Sequence, residues 1–485
     1  MKRLTLLFFI TLLSSLAFGQ KFTISGYISD AASGERLVNA NIYETKSLKG
    51  TTANNYGFYS LSLPAGSVVV NASFIGYEPQ FLSISLTRDT MINFALKLNS
   101  DMIDEVTIVG TKSKVEETQM SVIDIPVQKL QSLPVMLGET DVLKVMQLLP
   151  GVKGGTEGTS GIYVRGGGPD QNLFLLDGVP VYNASHLLGF FSVFNADAIK
   201  SVKLYKGGFP ARYGGRLSSV IDMTMKDGNM KKLEGNFTIG LIASKLSLEG
   251  PIVKDKTSFI FSARRTYIDV LAQPFILALN TSEGEKVKAG AYFHDLNLKV
   301  NHIFSDRSRL FFSAYHGKDK GYMGSKTTYK YEFEGEKVNE EEENNMELSW
   351  GNTIASLRWN YLIGKKLFSN TTLTYSNYNF GFGIEAEVND LIKKSRDYNF
   401  YKYYSGIEDL SAKIDFDYFP LPGHEVKFGT QYTHHLFSPG VTQLKFEDMT
   451  SEMKNVLDSL YGNREITAHE MAAYIEDDMV LSPSL

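Results

Sequence analysis

The chain has 485 residues, 43% of them hydrophobic and 21% charged, with a net charge of −5 at neutral pH. That length calls for about two to four folding units, and the lack of a basic field excludes nucleic acid as the main partner. No cysteine is present, which excludes disulfides, thiolate metal sites, thiol catalysis and a lipid-modified N-terminal Cys. With 31 Phe, 26 Tyr and 42 Gly against 14 Pro, the composition suits many strands joined by tight turns and predicts a mainly β fold.

Residues 1–19 read as a signal peptide. Lys2 and Arg3 give a charged start, Leu4 to Leu16 an apolar run, and Ala17-Phe18-Gly19 a small-x-small site before Gln20. The run is too short to span a bilayer, so it is expected to be cleaved during export. No later segment has about 20 consecutive apolar residues, so any membrane embedding must come from strands.

Residues 21–99 alternate strand-like runs with Gly and Asn: Phe22 to Ile28, Val38 to Tyr43, Gly57 to Leu63, Val68 to Phe74 and Met91 to Leu98. The pattern predicts a small N-terminal β-sandwich. The stretches GYISDAASGERLVNANIYE, GTTANNYGFYSLSLPAG and SFIGYEP resemble the carboxypeptidase-regulatory-like domain found ahead of many Bacteroidetes outer-membrane receptors. None of the eight His sits in an HExxH or HxxE arrangement, so neither a metal nor catalysis is expected here.

Residues 100–114 read as a linker. Within it, Glu105, Val106, Thr107, Ile108, Val109 and Gly110 form a short β-prone run behind acidic residues, able to add as a strand to a partner's sheet edge. Taken alone, a plain linker strand fits equally well. The segment is similar to a TonB box, and its place just ahead of the next region favours that reading.

Residues 115–228 carry the most specific pattern. Thr140 or Asp141 can cap a helix with apolar positions Val142, Val145, Met146 and Leu149, stopped by Pro150-Gly151. Further on, Phe174 to Leu176 and Val179 to Tyr182 flank Asp177-Gly178, a strong hairpin turn pair. The runs Val164-Arg165-Gly166-Gly167, Leu176-Asp177-Gly178-Val179-Pro180, Lys206-Gly207-Gly208, Tyr213-Gly214 and Val220-Ile221 closely resemble the plug of TonB-dependent receptors, a small α+β domain. Nothing here has the Gly-Lys-Ser/Thr ending of a phosphate loop, and no cofactor is expected. Arg165, Arg212 and Arg216 read either as solvated surface arginines or, if this region fills a water-lined barrel, as partners of inward-facing carboxylates on its wall.

Residues 229–485 show period-two alternation. Ala412, Ile414, Phe416 and Tyr418 alternate with Ser411, Lys413, Asp415 and Asp417, as apolar-out, polar-in strands of about ten residues would. A soluble sandwich shows the same alternation. Similar runs are Phe237 to Ala243, Phe259 to Tyr267, Leu296 to Val300, Leu310 to Ala314, Ala355 to Tyr361, Leu373 to Tyr375, Val426 to Tyr432 and, more weakly, Ala472 to Ile475. Lys318 to Met346 reads as a solvated extracellular loop. Roughly nine strands result, against about 22 for a barrel that houses a plug, so a partial antiparallel transmembrane β-barrel in a C-terminally incomplete chain is expected. His434 and His435 should face opposite ways on a strand and make no metal site.

The resemblance implies a TonB-dependent outer-membrane receptor importing a scarce small-molecule or oligomeric nutrient. Its partners would be the periplasmic domain of TonB, outer-membrane lipid and a surface lipoprotein. Plug loops such as Asn183 to Phe191 are candidate ligand contacts by topology. The rival readings are a non-transporting surface receptor or adhesin and, last, a secreted enzyme, for which no catalytic constellation is found.

Overall fold

The computed structural model describes residues 21–99, 122–126, 140–155, 160–279, 285–333, 335–421, 424–450, 454–462 and 465–479. The leader and the segment Glu105 to Gly110 lie outside the described residues.

Eight strands occupy residues 21–99: β1 (Lys21–Asp30), β2 (Asn41–Glu44), β3 (Gly50–Thr52), β4 (Phe58–Pro64), β5 (Gly66–Ser73), β6 (Gln80–Leu86), β7 (Thr90–Met91) and β8 (Phe94–Leu96). β1 pairs with β4 antiparallel and with β7 and β8 in parallel, and a second sheet runs β3-β2-β5-β6. Ile24, Ile42, Tyr59, Leu63, Val70 and Phe94 meet in the core, as alternation on two facing sheets requires. β3 and β6 add to the predicted strands; β6 is an edge strand with mostly exposed side chains, so it has little apolar signal.

The central region builds β9 (Val122–Pro126), α1 (Val142–Gln147), β10 (Val152–Gly154), β11 (Ile162–Val164), β12 (Asn172–Leu176), β13 (Val179–Pro180), β14 (Ser185–His186), β15 (Phe191–Ser192), β16 (Ile199–Tyr205) and β17 (Ser219–Met225). Five of them form a sheet in the order β13-β12-β17-β16-β9. Asp141 is the helix cap: its carboxylate accepts from the N–H groups of Leu143 and Lys144. It also accepts from Ser160 Oγ and Ser192 N–H, tying the helix start to β15. Val142, Leu143 and Met146 are buried and pack with Ile162, Phe174, Val202 and Ile221. The hairpin at Asp177-Gly178 forms as predicted, with φ of +49° and +79°, the two positive values of a type I′ turn.

The remainder is one antiparallel sheet of eleven strands: β18 (Glu234–Ile239), β19 (Ala243–Val253), β20 (Thr257–Thr266), β21 (Glu285–Ser305), β22 (Ser308–Phe333), β23 (Glu336–Leu362), β24 (Leu367–Asp390), β25 (Ser395–Tyr418), β26 (His424–Met449), β27 (Lys454–Tyr461) and β28 (Ile466–Met479). Two short helices, α2 (Ile268–Leu271) and α3 (Gln273–Leu279), lie between β20 and β21. Three expectations need correction. Among the described residues there are eleven strands rather than nine, and β21 to β26 run 21 to 27 residues rather than about ten. Lys318 to Met346 is not a loop: β22 and β23 pair without interruption from Ser308↔Tyr361 to Phe333↔Glu336. Its polarity misleads because a strand standing in water tolerates charge on its outer face. Cross-strand pairs such as Lys320–Glu347 at 2.9 Å and Lys326–Glu341 at 3.0 Å reinforce the ladder there.

The sheet is inverted relative to a soluble one. Facing the central region are buried Asp295, Asn297, Lys299, Asn301, Ser356, Arg358, Thr372 and Asp409. Turned away are exposed Leu296, Phe312, Leu357, Trp359, Leu373, Leu410 and Tyr418. On β25 the outward apolar set runs from Leu410 to Tyr418, a stretch of nine residues, within the roughly 9–11 residues that a tilted strand needs to cross a bilayer. Beyond that band the phase reverses within unbroken strands. On β24 the outward set becomes Asn377, Asn379, Glu385 and Glu387, and the inward set becomes Phe380, Phe382 and Ile384. β25 follows with inward Tyr401 and Tyr403, whose rings meet Phe382 and Phe380.

Candidate functional site

The functional geometry is concentrated where the central region meets the inner face of the large sheet. The Asp177-Gly178 hairpin is gripped from two sides. Lys299 of β21 reaches the Asp177 carboxylate at 3.2 Å, the Asp227 carboxylate at 3.0 Å and the Met225 carbonyl at 2.9 Å, while Arg358 of β23 donates to the Asp177 carbonyl. Pro180, next in the hairpin, offers its carbonyl to Ser376 Oγ at 2.7 Å. Lys299 is 1% exposed; a cation so deeply buried is tolerable only with partners on all sides.

Asp227 is the common carboxylate of this group. Besides Lys299 it faces Lys200 at 3.2 Å and Arg309 at 3.7 Å. Burial alone would oppose its ionisation, but these three cations outweigh that and hold its carboxyl well below the usual carboxylate range. Its backbone carbonyl takes bonds from Ser258 Oγ and Asn301 Nδ2, so the chain is fixed at its crossing into the large sheet.

A second group surrounds His186, which a short β14–β15 hairpin thrusts at the wall. Its Nε2 lies 2.7 Å from Asp295 Oδ1 and its Nδ1 2.6 Å from Asp319 Oδ2. The ring stacks on Phe293 at 4.1 Å and 6°. Arg264 donates to Asp295 at 2.8 Å and to the Ser192 carbonyl at 2.7 Å, and Tyr315 donates to Asp295 at 2.7 Å. The Leu187 N–H, held by a φ of +45°, donates to Asp319. Burial favours the neutral imidazole, but the two carboxylates prevail and raise the His186 pKa above its ordinary value. Within Asn183 to Phe191, read as ligand-facing by topology, His186 therefore anchors to the wall, whereas Phe190 remains half exposed.

The three arginines differ. Arg212 pairs with Glu476 of β28 at 2.7 Å, as expected of an arginine meeting a wall carboxylate. Arg216 donates to its neighbour Gly215 and lies over the Tyr182 ring at 5.9 Å. Arg165, with φ of +51°, is set in a tight turn where its N–H donates to the Gly151 carbonyl. Next to it Gly166 has φ of +90°, and a Cβ on Gly167 would lie 2.3 Å from Ser218 Oγ, so the glycine run is a packing necessity. Gly207 and Gly208 also take positive φ at the end of β16. Tyr213 donates to Asp222 at 2.8 Å and its ring meets Tyr205 at 5.2 Å; Gly214 follows with open space around it.

Tyr182 donates to Asp409 of β25, which also meets His435 Nδ1 at 2.6 Å. His434 turns the other way, its ring 5.1 Å from His469, so adjacent histidines do face opposite sides. Among the described residues no group of three or more His, Asp or Glu is arranged to hold a metal. The residues that sequence reasoning missed are Arg264, Asp295, Lys299, Arg309, Asp319, Arg358 and Asp409. Their signal was available: ionisable side chains at inward positions of strands whose outward positions are hydrocarbon, as in Asp295, Asn297 and Lys299 against Leu296, Leu298 and Val300.

Family comparisons agree with this architecture. A CarboxypepD_reg-like domain model matches residues 24–108 and a TonB-dependent Receptor Plug Domain model matches residues 114–220. The chain is 30% identical over 229 residues to the TonB-dependent receptor SusC of Bacteroides thetaiotaomicron, covering 44% of this chain and 22% of that protein. A second TonB-dependent receptor, from Formosa agariphila, is 30% identical over 218 residues, 42% of this chain and 21% of the relative. The chain thus spans about a fifth of the length of the curated relatives it matches. Among solved structures, the ferric yersiniabactin uptake receptor FyuA from Yersinia pestis aligns with a TM-score of 0.40 at 13% identity, covering 76% of this chain and 63% of that one.

Proposed function

We propose, from the premise that this chain belongs to the TonB-dependent receptors of the outer membrane, that it takes part in importing a scarce nutrient, with the central region as plug and the large sheet as barrel wall. The observation that carries the reading is the inverted sheet: ionic and polar groups grip the plug inside while a hydrocarbon band faces out. A soluble sandwich would place its apolar side chains inward throughout, whereas a wall in lipid must expose them. The plug runs then acquire a mechanical role, since Asp177 and its hairpin are the handle by which Lys299 and Arg358 retain the plug.

Transport requires these ionic contacts to be exchanged for water, so the plug is held by bonds that hydration can replace, rather than by interdigitated hydrocarbon. The segment Glu105 to Gly110, just ahead of the plug, supplies the strand that TonB's periplasmic domain would add to its own sheet edge. The members of this family are transporters rather than enzymes, and no residue here is assigned covalent chemistry. The test is capture of purified TonB periplasmic domain by the outer-membrane-embedded receptor, with and without residues 105–110. Capture lost on deletion supports the reading. Capture that survives deletion sinks it and favours a surface receptor or adhesin that needs no energy input.

A further inference from the structure

The N-terminal β-sandwich does not hang free of the wall. Tyr56 and Phe58 stack on Phe368 with centroids 5.4 and 5.3 Å apart, and Phe58 meets Phe419 edge-on at 6.2 Å. Phe368 and Phe419 stand at the β23–β24 and β25–β26 turns, at the end of the sheet opposite its acidic extension. Phe58 and Phe368 are almost wholly buried, so this is a closed apolar contact. Polar bonds frame it: Asn54 Nδ2 donates to Asp417 at 2.8 Å, and Lys365 Nζ to the Asp89 carbonyl at 2.5 Å.

The same sandwich also covers an edge of the plug. Asn39 Nδ2 donates to Asp124 of β9 at 2.6 Å, and Lys203 of β16 donates to Asn55 at 2.7 Å. The Asp227 N–H, beside the carboxylate that Lys299 holds, donates to Glu35 at 2.8 Å. One small domain therefore bridges the β9 edge of the plug's sheet, with its neighbour β16, and the turns of the wall. Hydrocarbon rings facing the turns of a membrane wall would otherwise be exposed to water, and each is matched by a ring of the sandwich.

We propose that the N-terminal β-sandwich is a second stopper, seated across the periplasmic rim of the wall and the plug edge, and that it leaves this seat when the plug is pulled. This rests on the reading of the large sheet as the wall of a TonB-driven receptor. With the sandwich in place the plug cannot move past the rim, because the strands β9 and β16 are already covered on that side. Displacing it breaks the aromatic contact and exposes Phe58 and Phe368 together, so the seat opposes partial opening. The interaction is intramolecular and re-forms without a second molecule.

The chain has no cysteine, so introduced thiols report cleanly. In the full-length receptor in living cells, Asp89→Cys and Lys365→Cys are joined by a short bismaleimide. A protease site between residues 100 and 114 is then cut, and retention of residues 21–99 on the wall is read on a denaturing gel. Neither position lies in the aromatic core; the substitutions give up the bond from the Thr23 N–H to Asp89 and the Lys365 framing bond, while the ring stack and the Asn54–Asp417 bond that hold the seat remain. Efficient linkage in cells lacking TonB, falling at least twofold in cells that have it, is the expected result; Phe81→Cys on β6 with Lys365→Cys should give no link. Absence of the Asp89–Lys365 link overturns the seat, while TonB capture by residues 105–110 separately decides the transport reading. Efficient linkage at equal yield with and without TonB overturns the release and makes the sandwich a fixed brace.

Discussion

Around the plug, the strands of the large sheet turn charge inward and hydrocarbon outward; a few residues further along the same strands, the two faces exchange roles. On β24 the outward residues pass from Leu373 and Tyr375 to Asn377 and Asn379, and the inward ones from Ser376 to Phe380 and Phe382. No break in pairing accompanies the change. The backbone is indifferent to which face is apolar, since the ladder satisfies its polar groups either way. What changes is the medium on each side. Next to lipid, only hydrocarbon is tolerated outside, and the plug supplies ionic partners inside. Beyond the bilayer both faces can be wet, so Glu and Asn move outside and aromatic side chains line the interior.

Predictions from this contrast fall in order of size. Lys299→Met in the plug-level half removes the cation shared by Asp177 and Asp227 and leaves both carboxylates buried; the expected cost is about 3–5 kcal/mol, measured as denaturant-induced release of the plug in the purified receptor. A neutral result would mean that water reaches this group. Next, Leu373→Arg on the lipid face should cost about 2–4 kcal/mol of wall stability, whereas Asn379→Arg on the same strand and the same face should leave it unchanged. Equal costs would erase the contrast.

The pH response is smaller and has two opposite limbs. His186 carries a raised pKa in the folded state, with Asp295, Asp319, Arg264 and Tyr315 facing it. Its contribution is fully present below about pH 6.5, the unfolded value, and is lost as pH rises through the folded one. Asp227 carries a depressed pKa, so its contribution is present above about pH 3.9 and is lost as pH falls toward its folded value. Protease release of the plug across pH should show both limbs, and His186→Gln should flatten only the alkaline one. At the helix start, Asp141→Ala should cost about 0.5–2 kcal/mol as a lost cap and more for the buried Ser160 and Ser192 donors it leaves unpaired, seen as local proteolysis near α1 without loss of the wall.

How legible each region was follows from the same physics. The plug was readable because its signals are local: the Asp141 cap, the Pro150-Gly151 stop and the Asp177-Gly178 turn each act within a few residues. Period-two alternation exposed the lipid-level strands, since there the two faces meet different media. Extended stretches such as Thr327 to Phe333 escaped notice because charge and polarity on a wet strand resemble a loop. The retention site was the least visible. His186 finds Asp295 across 109 positions of sequence, and nothing near either residue announces the other. Only the phase of Asp295 and Lys299, inward on a strand with Leu296 and Leu298 outward, marks them as destined for a polar interior.

As the wall of a barrel, single strands of the large sheet cross the bilayer and continue as an extracellular wall. Membrane-impermeant maleimide labelling of single cysteines, placed in this cysteine-free chain in intact cells, tests it most directly. Cysteines at Asn379 and Glu385 should label fully while those at Leu373 and Leu357 stay protected until detergent is added. Full labelling at all four positions before detergent would return the sheet to a water-soluble protein.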